Sequence, residues 1–209
     1  AEFRYQLRKN IFPRYSTCSP NVYKELCGRF DPVRDHAIAM ALLTIQREQI
    51  GGNLAELGVF RGHTSELIHK LLPDRRLYLF DSFEGFPKDL IEDTDNRFTE
   101  TSEDFVRSRV GPSENVVIRK GFFPDTAKGL EDEEFAFVML DADLYYTTLA
   151  GLEFFYPRTV SGGYVFAHDF NNPESNHGVS RAFNEYLVNK PEYPIEIPDV
   201  FGSIVFRKV

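Results

Sequence analysis

The sequence lacks the features that mark several large classes of protein. Its 209 residues include only two cysteines, Cys18 and Cys27, too few for a disulfide framework or a thiolate zinc site. No apolar run approaches the roughly 18–20 residues of a membrane span, and the N-terminus lacks the apolar core of a signal peptide. With 24 basic against 32 acidic residues, no cationic excess is available to bind a nucleic-acid backbone. These absences predict a soluble cytoplasmic protein with no membrane or nucleic-acid partner.

No internal repeat, low-complexity tract or linker divides the chain. A hydrophobic content of 42% and an aromatic content of 14% are enough for one substantial core. We therefore expect a single domain over residues 1–209, with an N-terminal arm and helix in 1–50 and the core in 53–209. Because the chain begins at Ala1 without a methionine, its natural N-terminus is expected to be missing or trimmed.

Alternating strands and helices predict the fold class. Asp31 and Pro32 are typical of a helix start, and Gly51-Gly52 stops that helix. Five short apolar runs, separated by helical periodicities, predict strands at 53–57, 77–80, 116–118, 135–140 and 163–167. Apolar strands joined by helical crossovers indicate a doubly wound α/β domain with a parallel sheet buried on both faces. After a helix near 178–189, the segments YPIEI and GSIVFRKV predict an antiparallel hairpin at the edge of a seven-stranded sheet.

The turn after the first strand has the composition of a ligand-binding turn. In open α/β sheets ligands bind beyond the carboxyl ends of the strands. The segment ELGVFRGHTS contains an acid at the strand end, two glycines and a helix start, namely Glu56, Gly58, Gly62, Thr64 and Ser65. An acid where a dinucleotide fold would hold a pyrophosphate favours a ligand with a positive charge. Many strand-to-helix turns contain two glycines, so this turn alone leaves a purely structural role open.

Two further strand ends fit the same ligand. Asp81, followed by Ser82, lies 25 residues beyond Glu56, close to the spacing of the acid that binds ribose hydroxyls. After the third strand, Gly121 and the rings of Phe122 and Phe123 suit a purine. Three consecutive strand ends that fit one nucleoside favour nucleoside binding over a purely structural role.

These residues resemble the class I S-adenosylmethionine-dependent methyltransferases. The segments ELGVFRGHTS, DSFEGFP, LDADLYYTTLAGLEFFYPRTVSGGYV and HDF are most similar to the macrocin O-methyltransferase family, over about residues 53–189. The resemblance implies a Rossmann-like sheet, S-adenosylmethionine as methyl donor, a divalent metal that is usually magnesium, a homo-oligomer, and a sugar hydroxyl of a natural product as the acceptor. The cofactor-binding residues would be Glu56, Gly58, Gly62, Thr64, Ser65, Asp81, Ser82, Gly121, Phe122 and Asp141.

Two acids at neighbouring strand ends predict a metal site. Asp141 ends the fourth strand and Asp169 follows the fifth, and paired carboxylates repel each other unless a cation lies between them. Relatives commonly carry two acids where this chain has His168 and Asp169. A nitrogen ligand weakens the case for magnesium and favours manganese, iron or zinc. We predict Asp141 as ligand and general base, and we leave His168 open as ligand, base or bystander.

Several other polar residues near the strand ends also have predicted roles. Asp143 is expected to cap the following helix, and Asn171 and Asn172 could add a carbonyl oxygen to the ion. Arg61 and His63 could contact the cofactor carboxylate. The remaining histidines, His36, His69 and His177, are expected in packing or at the surface.

The acceptor is expected to bind next to the strand ends. The acceptor site should be built from residues 1–30, 83–104 and 170–177, and the acidic stretch 88–104 is either a solvated loop or a lid. A catechol-type acceptor is an alternative, although it favours a lysine shortly after Asp141, where this chain has Leu144 and Tyr145. A nicotinamide-dependent reductase and a nucleoside-binding protein without catalysis also stay open as functions of the same fold.

Overall fold

A seven-stranded sheet with helices on both faces forms the core of the protein. The structure is a computed structural model that describes residues 2–12, 14, 18–88, 97–173 and 176–209. The strands are β1 (Asn53–Leu57), β2 (Leu77–Asp81), β3 (Val116–Lys120), β4 (Phe135–Leu140), β5 (Thr159–Ala167), β6 (Ile195–Ile197) and β7 (Ser203–Arg207). The helices are α1 (Glu2–Arg8), α2 (Pro20–Gly28), α3 (Pro32–Arg47), α4 (His63–Leu71), α5 (Glu103–Val110), α6 (Tyr145–Phe155) and α7 (Gly178–Leu187).

The strand order confirms the predicted doubly wound topology. The sheet runs β3-β2-β1-β4-β5-β7-β6, with β1 to β5 parallel. Strand β7 is antiparallel to both β5 and β6, so the predicted C-terminal hairpin is present at the sheet edge. Strand β5 begins four residues before the predicted position 163, since Ser161-Gly162-Gly163 interrupts its apolar pattern in the sequence.

Alternate residues of each strand pack into one of two hydrophobic cores. In β4, Phe137 and Met139 face the core covered by α2, α3 and α4, whereas Val138 and Leu140 face the core under α6 and α7. Every residue of β4 is buried, which explains why its sequence is continuously apolar. The sheet is therefore rigid on both sides, and its carboxyl edge is a fixed platform.

The N-terminal helices complete one face of this platform. Asp31 caps α3 by accepting from the Arg34 amide at 3.2 Å, and Pro32 occupies the first turn, as predicted. Residues 1–30, which belong to the predicted N-terminal arm, contain the short helices α1 and α2 in their described part. Helix α5 begins at Glu103, within the stretch predicted to be irregular, because Ser102 provides a side-chain cap. None of the helices in the described ranges combines the length and apolarity that a membrane span requires.

The chain reverses its direction of strand addition between β1 and β4, and the two strand ends touch there. The Asp141 amide donates to the Leu57 carbonyl at 2.7 Å, and the Gly58 amide donates to Phe80 at 2.9 Å. Gly58 has a φ of 85°, and a Cβ at this position would lie 1.9 Å from the Asp141 carbonyl oxygen. Glycine at position 58 is therefore required for the turn after β1 to contact the acid-bearing end of β4.

Gly58→Ala is expected to destabilise the protein by about 3 kcal/mol or more, because backbone strain and overpacking against Asp141 add together. Gly51→Ala is the matched control, since a Cβ there meets nothing within 4 Å. The measurement is the free energy of unfolding in urea. Equal stability of the two variants would contradict the close contact of Gly58 with Asp141.

Candidate active site

A cavity of about 350 Å³ lies at the carboxyl edge of the sheet, above the β1/β4 reversal. This is the position at which open α/β sheets bind their ligands. Its walls come from the ends of β1 to β5, from α3 and from the segments 85–87, 97–98 and 201. Most of the residues predicted from the sequence as ligands line this cavity, with Gly62, Ser65 and Asn171 as the exceptions.

Glu56 forms the buried floor on the β1 side. Its side chain accepts a hydrogen bond from the Ser65 hydroxyl at the start of α4, and the residue is 1% exposed. Burial raises the pKa of Glu56 to about 8, an effect that the Asp141 carboxylate reinforces and the Ser65 hydrogen bond opposes. Ser65, predicted as a cofactor ligand, is fully buried behind Glu56 and orients that carboxyl group.

Asp81 organises the turn around the cavity. One of its carboxylate oxygens accepts from the amides of Val59 at 2.7 Å and Phe60 at 2.8 Å, and the other accepts from Phe83 at 2.7 Å. A carboxylate has about four acceptor positions, so capacity remains for a ligand hydroxyl. Ser82, also in the wall, donates to the Gly85 carbonyl at 2.8 Å.

The β3 end contributes an open aromatic wall. Phe122 is 42% exposed and lines the cavity beside Gly121. Phe123 also lines the cavity, and its ring packs against Phe80 and Phe155 at centroid distances of 5.6 and 5.7 Å. Thr64 is buried in the wall, whereas Gly62 begins α4 against Val106.

Asp141, His168 and Asp169 come together at the other end of the cavity, as the sequence predicted. His168 Nδ1 lies 3.1 Å from Asp141 Oδ1 and 2.8 Å from Asp169 Oδ2. One ligand atom from each of the three residues can be chosen so that all three atoms lie within 4.8 Å of one another. This donor set of two carboxylates and one imidazole fits a divalent cation.

The atoms of this cluster that face away from its centre are each held by a neighbour. His168 Nε2 donates to the Val200 carbonyl at 2.8 Å, which leaves Nδ1 directed at the carboxylates. Asn172 donates to Asp169 Oδ1 at 2.8 Å, and Arg34 Nη1 lies 3.5 Å from Asp141 Oδ2. Such outer contacts orient metal ligands, so the surroundings of the cluster also fit an ion.

The charges within the cluster are strongly coupled. Burial by itself would lower the pKa of His168, but the Asp141 carboxylate and the hydrogen bonds of Asp141 and Asp169 raise this pKa to about 11. Burial would raise the pKa of Asp141, yet the charges of His168 and Arg34 hold this pKa below its ordinary value.

Arg34 is a site residue that the sequence analysis missed. It lies in the first turn of α3, four residues before Ile38, and therefore on the stripe that the helix buries. Its Nε atom is buried and has no hydrogen-bond partner within the described part of the chain. The sequence signal that could have identified Arg34 is a charged residue at a position where the helical spacing predicts a buried apolar one.

Asp143 does not have its predicted role. Helix α6 has Leu144 as its N-cap and no side-chain capping bond, because Asp143 adopts a left-handed φ of 56° and faces the cavity. Burial, together with the Asp169 and Asp141 carboxylates, raises the pKa of Asp143 to about 8. The residue is therefore a buried carboxyl group in the site wall and not a cap.

The other polar candidates divide between the cavity and the surface. Arg61 lines the cavity and pairs with Glu100 at 2.9 Å, and His63 lines it with Nδ1 3.1 Å from Arg109. Asn171 is not directed at the cluster, because its amide donates to Glu196 at 3.2 Å.

The histidines expected outside the site lie there. His36 is buried against Phe12, His69 is half-buried, and His177 is exposed at the start of α7. Of the stretch 88–104, residues 89–96 lie outside the described residues, so the choice between a solvated loop and a lid stays open. The following residues Arg97 and Phe98 line the cavity.

Backbone strain is concentrated around the cavity. Nine non-glycine residues in the described ranges have positive φ, and five of them line the cavity: Phe60, Phe98, Asp143, Asp169 and Phe201. Such conformations cost about 1–3 kcal/mol each and persist where the surrounding structure enforces them, typically at functional sites. Their clustering supports this cavity as the active site.

Comparison with known proteins identifies the family. Residues 20–208 match the family model described as Macrocin-O-methyltransferase (TylF), so the chain belongs to that family. It is 29% identical over 182 residues to 8-demethyl-8-(2,3-dimethoxy-alpha-L-rhamnosyl)-tetracenomycin-C 4'-O-methyltransferase of Streptomyces olivaceus, covering 78% of this chain and 68% of the relative. It is also 29% identical over 192 residues to demethyldecarbamoylnovobiocin O-methyltransferase of Streptomyces niveus, covering 78% and 72%.

The solved structures agree with this assignment. The O-methyltransferase NovP superposes with a TM-score of 0.73 at 26% identity, over 85% of this chain and 80% of that chain. The protein is therefore an S-adenosylmethionine-dependent O-methyltransferase with a Rossmann-like α/β fold.

Binding of S-adenosylmethionine is expected to release a proton from Glu56 at pH 7. The free carboxyl group, whose pKa is about 8, is mostly neutral at that pH, and a cationic ligand favours its ionised form. Affinity should therefore rise with pH until Glu56 is ionised. Calorimetry at pH 7 in buffers of different ionisation enthalpy measures the released proton.

Glu56→Gln should abolish this proton release and weaken cofactor binding by about 10-fold or more. Glu103→Gln is a control, because its carboxylate pairs with Arg107 at the surface of α5 and lies outside the cavity wall. Unchanged proton release in Glu56→Gln would show that another group titrates.

Proposed function

We propose that the protein is a divalent-metal-dependent methyltransferase that methylates a sugar hydroxyl of a glycosylated natural product. The names of its relatives support this substrate class, since one acts on a rhamnosyl tetracenomycin and another on a novobiocin precursor. The single observation that carries the proposal is that the cluster of Asp141, His168 and Asp169 lies in the same cavity as the turn after β1, with its Glu56 and Gly58.

The cofactor half of the cavity suits S-adenosylmethionine. The carboxyl group of Glu56 suits the positively charged end of the molecule, the remaining acceptor positions of Asp81 suit ribose hydroxyls, and Phe122 offers a flat face to the adenine. Glu56 also argues against a nicotinamide cofactor, whose pyrophosphate would meet a buried acid at this point.

Asp141, His168 and Asp169 would hold the metal, with Asn172, Val200 and Arg34 orienting them. The two carboxylates suit magnesium or manganese, and the imidazole nitrogen favours manganese, iron or zinc over magnesium. When bound, the ion supplies Lewis acidity that lowers the pKa of an acceptor hydroxyl.

Asp143 is our candidate for the group that accepts the hydroxyl proton. Its carboxyl group lines the cavity, and its oxygens make no capping bond to α6. Asp141, which the sequence favoured as base, is already engaged by His168 and Arg34. Asp143 would accept the proton of the acceptor hydroxyl, and S-adenosylmethionine, when bound, would supply the methyl group to that oxygen and leave as S-adenosylhomocysteine.

Metal dependence is tested by calorimetry and by turnover in the presence of a chelator. We expect S-adenosylmethionine and either magnesium or manganese to bind, and turnover to fall by at least about 100-fold when the ion is removed. Restoration by each divalent ion in turn identifies the preferred metal. Full turnover after exhaustive chelation would overturn the metal-dependent part of the proposal.

Asp141→Asn and Asp143→Asn separate the ligand from the base. Asp141→Asn should weaken metal binding by about 10- to 100-fold and abolish turnover, with cofactor affinity nearly unchanged. Asp143→Asn should keep both affinities and lose about 10²- to 10⁴-fold in turnover. Wild-type turnover should rise with pH as Asp143 loses its proton, at or below about pH 8 because a bound cation favours the carboxylate.

The Asp143→Asn variant should lose that rising limb of the pH profile. It should also fold normally, because Asp143 is mostly neutral near pH 7 and asparagine has the same shape. Substantial turnover in Asp143→Asn together with loss in Asp141→Asn at full metal occupancy would return the base role to Asp141.

A further inference from the structure

Two aromatic rings in the cavity wall are free to receive ligands, and they lie at opposite ends. Most cavity phenylalanines already have partners: Phe98 packs edge-on against Phe60 and Phe86 at 5.2 and 5.3 Å. Phe122, at the cofactor end, and Phe201, at the metal end, are 42% and 50% exposed. Within the described part of the chain, neither has a ring or cation partner.

The turn between β6 and β7 holds Phe201 next to the metal cluster. The preceding residue, Val200, accepts from His168 Nε2 at 2.8 Å and donates to Asp31 at 2.9 Å. The Phe201 carbonyl accepts from the Asn171 amide, and Gly202 accepts from Phe170, both at 2.9 Å. The ring is therefore carried on backbone that is bonded directly to the segment containing His168 and Asp169.

The conformation of Phe201 is costly for a phenylalanine. Its φ is 63°, a region that bulky residues rarely occupy and that glycine or asparagine would tolerate better. Folding alone gives little reason for a half-exposed ring at such a position. A ligand that needs a flat apolar surface beside the cluster gives such a reason.

We propose that Phe201 is the acceptor-binding ring of this enzyme, on which the apolar face of a pyranose stacks while two neighbouring hydroxyls face Asp141, His168 and Asp169. This inference rests on the proposed function and deepens it, since it assigns the end of the cavity and the side chain that select the acceptor. Phe201 is a specificity-determining residue that contacts the substrate through its ring.

Saturation-transfer NMR on the whole chain, with S-adenosylhomocysteine and magnesium present, tests this assignment. The probes are methyl α-L-rhamnopyranoside and catechol, which both carry neighbouring hydroxyls on a ring. We expect saturation to reach the rhamnoside, mainly at the protons of one ring face. Phe201→Ala should weaken rhamnoside binding by about 10-fold, whereas Phe201→Tyr, which keeps an aromatic ring, should bind the rhamnoside like the wild type.

Phe105→Ala is the matched control, because Phe105 is 42% exposed on α5 and lies outside the cavity wall. It should leave rhamnoside binding unchanged, and all three variants should bind S-adenosylhomocysteine like the wild type. Unchanged rhamnoside binding in Phe201→Ala would overturn the inference, as would an equal loss in Phe201→Ala and Phe201→Tyr.

The two proposals fail in different ways. Binding of catechol alone, or of neither probe, with S-adenosylhomocysteine still bound, would overturn the pyranose assignment and leave methyl transfer standing. If the proposed function is wrong, the wild-type protein will not bind the cofactor or will not bind the metal.

Discussion

The contact between the ends of β1 and β4 is the constraint on which the site depends. The Asp141 amide donates a hydrogen bond to the Leu57 carbonyl, and Gly58 lies directly against the Asp141 backbone. The distance between the turn after β1 and the acid-bearing end of β4 is therefore fixed. Both strands are buried on two faces, which prevents either from shifting alone. Methyl transfer needs donor and acceptor aligned within a fraction of an ångström, and in the proposed site this contact would fix the distance between the residues that bind them.

The fold was predictable because its signals are local and repeated. Continuous apolar strands separated by helical periodicity indicate a buried parallel sheet, and the first four predicted strands match β1 to β4 to within two residues. The meeting of Asp141, His168 and Asp169 was also predictable, because carboxyl ends of adjacent parallel strands lie at one edge. The roles of these three residues, and of the cofactor-binding set, stay predictions.

The residues that sequence reasoning missed or misassigned are those whose position depends on distant contacts. Asp143 precedes a helix, as a cap would, but its left-handed backbone turns the carboxyl group into the cavity. Phe201 follows an ordinary hairpin strand, and only the hydrogen bonds from His168 and Asn171 reveal that its turn belongs to the site. Local propensity carries no information about such contacts, which join residues about 30 positions apart.

The β6–β7 turn contributes to the site both through its backbone and through a side chain. The Val200 carbonyl accepts from His168, a contact that any residue at that position could make, whereas the adjacent Phe201 lines the cavity. A substitution at position 201 can therefore alter the acceptor surface and keep the hydrogen bond that fixes the cluster. In the proposed site, acceptor preference would depend on the Phe201 side chain, whereas the orientation of His168 depends on the Val200 main chain. Acceptor preference could therefore change while the chemistry of the cluster stays the same.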